Sequence, residues 1–314
     1  MKKKLVAGAV TLLSVVTLAA CANGTNKDIV TMKGDTITVS DFYDEIKTNQ
    51  GAQQVLFQMT INKVFEKEYG SKVSDKEVDK ELAKQKKQLG KQFDAYLAQQ
   101  GLTEETAKKQ IRSNMLLEYA VNQAAKKDIK ESDYKAAFES YTPEVTAQII
   151  KLDSEDKAKE VLEAAKAEGA DFAQIAKDNS TDTATKDKGG EVKFDSGTAD
   201  IPSQVKEAAF KLDENGISDV ITVSAGQNYS ASYYIVKLNK KTEKGSDWKK
   251  YEKRLKEIIV DGRKQDTNYI RSIIAKAMTN ANIKVKDDAF KSTFNQYLQN
   301  IGVQTSDSKS SSKK

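Results

Sequence analysis

The chain of 314 residues contains no histidine and only one cysteine. Without histidine it can build no Ser-His-Asp triad, no Cys-His dyad and no His-ligated zinc site. The single cysteine, Cys21, permits neither an intrachain disulfide nor a CxxC redox pair. Carboxylate metal sites are still open, yet no EF-hand spacing occurs. Also missing are a GxxxxGKS/T phosphate loop and a GxGxxG dinucleotide fingerprint, so nucleotide use is not expected. The chain is read as needing no cofactor and no metal.

What is present is charge of both signs, 31% of residues, beside 38% hydrophobic ones. That balance predicts a soluble, helix-rich globular protein of about two domains. The formal charge of +5 falls by three, to +2, if Lys2, Lys3 and Lys4 are removed with a leader. A value so near neutral gives no electrostatic support for nucleic-acid binding.

A leader is expected over residues 1–20. Met1 to Lys4 is a short basic region, and Leu5 to Ala20 is apolar apart from small and hydroxyl residues. The run is short for a membrane span and has the flanks of a signal peptide. It ends in Leu18-Ala19-Ala20-Cys21, which resembles a bacterial lipoprotein signal. The resemblance implies cleavage before Cys21 and lipid on its sulfur. The plainer reading is an ordinary signal peptide with an incidental cysteine. Two acyl chains suffice for stable anchoring, whereas one binds marginally. Residues 21–27 then read as a lipidated, flexible tether.

Periodicity organises the rest. Asp28 to Val39 reads as a hairpin turning at Lys33-Gly34-Asp35. Ser40 is the expected N-cap of a helical run to about Tyr69. Ser74 and Glu77 have capping-box spacing before a long helix with Val78, Leu82, Leu89, Phe93 and Leu97 on one stripe. Gly101 breaks it. Thr103 caps a third helix, where Ala107, Ile111, Met115 and Tyr119 recur every four residues. Ser132 is the expected cap of a short helix before Pro143.

Strand patterns then appear. Glu144 to Leu152 and Ile217 to Val223 read as strands, as does Ser232 to Leu238. Helices are expected after Ser154, around Phe172 to Ala176, and over Val205 to Leu212. A long polar loop separates Asn179 from Gly190. From Asp247 to Met278 one helix is expected, spanning about 45 Å at 1.5 Å per residue, with a bend at Gly262. Phe290, Phe294, Tyr297 and Leu298 mark a further amphipathic run, and residues 304–314 have the composition of a disordered tail.

The stretch GADFAQIAKDNSTD from Gly169, the Gly189-Gly190 pair and EAAFKLDENGISDVI resemble the parvulin-type peptidyl-prolyl isomerases. The resemblance covers about residues 144–241 and implies a small sheet with helices packed on it. It also implies a glycine turn into a central strand at Gly189-Gly190. By its motifs, Gln148 and Tyr234 stand where the family has histidines, and Asp182 matches the family's Cys or Asp. Ile201 and Val205 stand at the substrate pocket. Gln227 to Ser232 is longer and more polar than the family's turn. Isomerisation faces a barrier of about 18–20 kcal/mol set by amide resonance. Gln and Tyr can hydrogen-bond, but neither replaces an imidazole that titrates near neutrality. Weak or absent catalysis is therefore expected, and Asp182 reads equally as a loop cap.

Leader, helical regions and isomerase-like middle together resemble the PrsA-type foldase lipoproteins of Gram-positive bacteria. That resemblance implies an α+β protein. A discontinuous helical chaperone domain, residues 28–143 and 242–303, would carry an inserted parvulin-like domain. The implied partners are unfolded or partly folded secreted proteins and, through Cys21, the outer face of the cell membrane. A homodimer is left open. Two other functions stay open too: a genuine isomerase using Asp182 and its substituted neighbours, and a surface lipoprotein that binds a ligand.

Overall fold

Residues 27–225 and 230–298 are described by the computed structural model. The leader, Cys21, the tether before Lys27 and the tail lie outside the described residues. So do Gln227 to Tyr229 of the polar insertion and the side chains of Tyr297 and Leu298.

The elements follow local chemistry closely. Strands β1 (Asp28–Met32) and β2 (Asp35–Thr38) form the expected hairpin. Helix α1 (Val39–Ile46) is capped by Thr38, not Ser40. The Thr38 hydroxyl accepts from Asp41 N while the Asp41 carboxylate accepts from Thr38 N. Thr38 thus has an acidic partner three residues on, and Ser40 falls inside the first turn. Asn49 caps α2 (Gln50–Tyr69). Ser74 and Glu77 form their capping box at the head of α3 (Asp75–Leu89). The expected long stripe is interrupted there, because Gly90 takes φ +53 before a 3-10 turn and α4 (Phe93–Gln99). Thr103 caps α5 (Glu104–Lys127), as predicted. A four-residue repeat drifts about 40° per step at 3.6 residues per turn. Burial accordingly moves from Ala107 and Ile111 to Leu116, Ala120 and Val121, leaving Met115 and Tyr119 half-buried. In α6 (Glu131–Ser140) the cap is Lys130, not Ser132, because Asp133 accepts from Lys130 N.

The sheet-and-helix region runs β3 (Val145–Leu152), α7 (Glu155–Lys166), α8 (Phe172–Asn179), β4 (Glu191–Phe194), α9 (Ser203–Lys211), β5 (Ile221–Ala225) and β6 (Ser230–Lys240). Its antiparallel order is β4-β3-β6-β5. The strand after Gly189-Gly190 is therefore at an edge, not central. It has four residues, whereas β3 has eight and β6 eleven, enough to bury both of their faces. The strand expected from Ile217 begins only at Ile221, and Ile217 meets β6 through one isolated bridge to Lys237.

After a 3-10 turn at Trp248–Tyr251, the chain ends in α10 (Glu252–Gln265), α11 (Thr267–Asn280) and α12 (Lys291–Leu298). One long helix was expected here. The break falls at Asp266 rather than Gly262: its backbone is extended and its carboxylate accepts from Asn268 N and Tyr269 N. An N-cap carboxylate starts a new helix, while a lone glycine inside a packed helix is tolerated.

Contacts divide the chain into two compact units, one of residues Lys72–Ile273 and one joining Met1–Ser71 to Ile274–Lys314. The α+β class and the insertion of the sheet domain among helices are as expected. The divisions fall at 71/72 and 273/274, so that α3 to α6 and α10 belong with the sheet. Two cores flank that sheet. Val145, Ala147, Ile149, Val236 and Leu238 pack under α9 on one face. Ile150, Leu152 and Ile235 pack under α7 and α8 on the other.

Candidate functional site

Period-two alternation decides which of the candidate residues meet. Tyr234 shares a face with Val236 and, like Ile201, packs against the cluster that holds Ile149 and Val205. Gln148 shares the opposite parity with Ile150, and its Nε2 donates to Gly189 O at 3.0 Å. Tyr234, Ile201 and Val205 are thus brought together, and Gln148 is not among them. On β3 the side chains on Tyr234's face are Lys151, its direct cross-strand partner, and Ile149, 4% exposed. A shift of one residue moves every side chain to the other face, so the motif register alone chose the wrong neighbour. The signal that could have found Ile149 is the alternation Val145, Ala147, Ile149. Val205 is wholly buried and forms floor rather than surface. The half-buried Ile201, Phe210, Ile221 and Val223 around it are what a ligand on this face would touch.

Asp182 stands in the loop after α8. Thr181 N donates to Lys151 O at 2.8 Å, and Lys151 pairs with Tyr234, so the loop lies at that end of the strand. The Asp182 carboxylate accepts from Thr185 Oγ1 at 2.6 Å and from Ala184 N at 3.1 Å. This is an Asx turn leading into the 3-10 turn Lys186–Lys188. The carboxylate is occupied by its own loop. Asp182→Ala is expected to cost about 1 kcal/mol of stability as a lost cap. It should leave the rate of any protease-coupled proline-peptide assay unchanged. A substantial rate that disappears with this substitution would show Asp182 to be catalytic.

A second candidate site lies in the discontinuous unit. A groove of about 730 Å³ runs between α1, α2 and the segment from Asn282 to Phe294. Its apolar lining includes Ile46, Val55, Leu56, Met59, Ile283 and Phe290. Val55 is 60% exposed and Met59 51%. Beneath them Phe57 and Phe294 meet edge-on, with ring centroids 5.5 Å apart. Gln53 ties the two pieces of the unit together, donating to Ala289 O at 3.1 Å and accepting from Thr293 Oγ1 at 3.1 Å. At one rim Tyr43 donates to Asp287 at 2.6 Å, and the Asp287 carboxylate also accepts from Ala289 N. Those bonds hold the Asp287 carboxyl below its ordinary range, the Tyr43 bond contributing most. The sequence showed the stripes but could not show which apolar residues stay outside a core.

A family model described as a PPIC-type PPIASE domain, or rotamase, matches residues 141–240. The foldase protein PrsA of Streptococcus sanguinis is 62% identical over 302 residues, covering 96% of this chain and 90% of that one. The foldase protein PrsA of Streptococcus gordonii is 60% identical over the whole of both chains. Among solved structures, the foldase protein PrsA of Streptococcus pneumoniae is 55% identical with a TM-score of 0.78, covering 86% of this chain and 99% of that one. The PrsA foldase of Lactococcus lactis is 39% identical with a TM-score of 0.65 over the same shares. The likeness extends through the helical regions and the sheet domain alike, and the chain therefore belongs to the PrsA foldase family.

Proposed function

We propose that this chain is a nucleotide-independent foldase held at the outer face of the cell membrane by lipid on Cys21. It captures apolar segments of unfolded secreted proteins in the groove of its discontinuous unit. Its isomerase-like domain acts mainly as a scaffold, with weak or absent catalysis. The observation that carries this reading is the groove itself. Among the described residues, eight of the nine large apolar side chains that stand exposed belong to residues 29–59 of one unit, and three of these eight, Tyr43, Val55 and Met59, line the groove. Contiguous exposed apolar surface marks an interaction site, and unfolded clients present the matching surface. The scaffold role is supported by a sheet face that would meet a ligand with Ile201, Phe210, Ile221, Val223 and the Tyr234 phenol, in a chain without histidine. The anchor is supported by Leu18-Ala19-Ala20-Cys21. Among the described residues no helix is long and apolar enough to cross a membrane.

Replacing Val55 and Met59 with aspartate tests the groove in the full chain. Both are so exposed that folding should survive, with an unchanged thermal midpoint. Protection of an unfolded test protein from aggregation should fall severalfold, since each aliphatic side chain contributes about 1.5–3 kcal/mol when fully buried by a client. Undiminished protection by the double variant sinks the groove assignment. Cys21→Ala should release mature protein into the medium or leave an unprocessed precursor. Processing and retention like the wild type would remove the lipid anchor from the proposal.

A further inference from the structure

One wall of the groove is not a helix. Residues 283–286, between α11 and the 3-10 turn at Asp288–Phe290, carry no secondary structure, and their exposure alternates: Ile283 and Val285 half-buried, Lys284 and Lys286 exposed. Ile283 N donates to Met278 O. From Lys284 to Lys286 neither the N–H nor the C=O groups have a partner among the described residues. A run of unpaired main-chain groups beside an apolar trough is the template on which an extended peptide adds as a strand. The charges at this wall favour the positive sign, Lys284 and Lys286 against Asp287. Of the ionised side chains lining the groove, Asp287 is engaged by Tyr43 and Ala289 N. Lys284 and Lys286 form no ion pair among the described residues.

Resting on the groove as the polypeptide site, we propose that clients bind there as extended segments, pairing their main chain with Lys284–Lys286. The groove selects apolar segments flanked by acidic residues. Main-chain pairing is indifferent to side-chain identity, which suits a receptor of many clients. Alternate client side chains enter the trough, and the two ammonium groups supply selectivity at its rim.

Fluorescence anisotropy on the full chain tests this with three labelled peptides. All share one alternating valine-threonine core; one is flanked by glutamates, one by lysines, and one is glutamate-flanked with alternate core amides N-methylated. The glutamate-flanked peptide should bind about tenfold more tightly than the lysine-flanked one at low salt. N-methylation should weaken binding by roughly tenfold. The double variant Lys284→Glu with Lys286→Glu should invert the charge preference. Equal affinities for the two flanks, or no inversion, overturn the selectivity; an N-methylated peptide that binds undiminished overturns the pairing. Sedimentation of the free protein provides the remaining outcome. A dimer that the charge-reversal variant abolishes would make a second copy the occupant and overturn the proposal. Binding that ignores flanks and N-methylation but is lost on Met59→Asp would leave the groove as the client site while refuting this mode. No binding of any peptide by the wild type would refute the groove itself.

Discussion

Gly190→Ala is expected to destabilise the sheet domain by about 3 kcal/mol or more, enough to lower its unfolding midpoint by many degrees. Gly190 has φ +78, a conformation that costs an L-residue roughly 1–2 kcal/mol by itself. A Cβ there would lie 2.5 Å from Ile149 O and 3.0 Å from Ile149 N. Those atoms are main chain of the central strand β3 and cannot swing aside. Ile149 N also donates to Gly190 O at 2.8 Å, so moving the glycine away breaks a ladder bond. Gly169→Ala is the control: φ is +74, but nothing lies within 4 Å of its would-be Cβ, so only the conformational cost should appear. Urea unfolding of both variants decides the matter. Equal losses for the two would mean that the close approach to Ile149 contributes nothing.

Arg254→Ala is expected to cost about 2–3 kcal/mol at neutral pH, by leaving a buried carboxylate without its cation. Asp195 follows β4, its side chain is 7% exposed, and it accepts from Arg254 Nε at 2.6 Å and Nη2 at 2.8 Å. It also accepts from Tyr141 OH at 3.1 Å, Thr198 Oγ1 at 3.0 Å and Gly197 N at 3.0 Å. Arg254, on α10, is 34% exposed, so solvent screening puts the loss at the low end for a broken buried pair. Burial alone would raise the Asp195 carboxyl, yet the bonds to Arg254, its charge, and the Thr198 and Tyr141 hydroxyls hold it below its ordinary range. Burial first, then Asp195, pushes the Tyr141 phenol up, so it remains a donor.

A carboxyl lowered by folding adds stability above its unfolded pKa of about 3.9, and that contribution is lost as pH falls through the folded value. The wild type should therefore lose this part of its stability only in strong acid. In Arg254→Ala the burial penalty is opposed only by the neutral donors Thr198, Tyr141 and Gly197 N, and protonation relieves it. Thermal unfolding should thus show a deficit that is largest near neutrality and shrinks below about pH 4. A deficit equal at pH 3 and pH 7 would assign the effect to the packed arginine stem instead of its charge. In the same region a Cβ on Gly197 would meet the end of the Ile258 side chain on α10.

Much of the secondary structure was legible because its signals are local. The capping residues Ser74 and Thr103 lie where expected, and so do strand β3 and helices α7 to α9. Errors occurred where two local candidates competed. Thr38 prevailed over Ser40 because an aspartate stands three residues beyond it. Asp266 prevailed over Gly262 because a carboxylate can satisfy two free N–H groups and a glycine can satisfy none. The candidate site on the sheet was half legible. Tyr234, Ile201 and Val205 converge, but Gln148 belongs to the other face and Ile149 takes its place. A motif supplies a position along the strand, and only the pairing with β6 establishes which face that position occupies.

By itself the sequence determined the classes of chemistry that are closed to this chain, the isomerase-like insertion among helices, and the expectation of a lipid anchor at Cys21. The first follows from residue types and short spacings, which act over a few positions; the insertion and the anchor are what the resemblances to parvulin-type isomerases and bacterial lipoprotein signals imply. The tertiary structure alone decided that the discontinuous unit is confined to residues 27–71 and 274–298 of the described chain, and that Val55 and Met59 stay exposed beside Ile283. It also decided that Asp195 and Arg254 meet. An amphipathic stripe is the same whether it becomes core or groove. The outcome depends on which distant segment arrives to cover it, and that depends on the free energy of packing the whole chain rather than on any one helix.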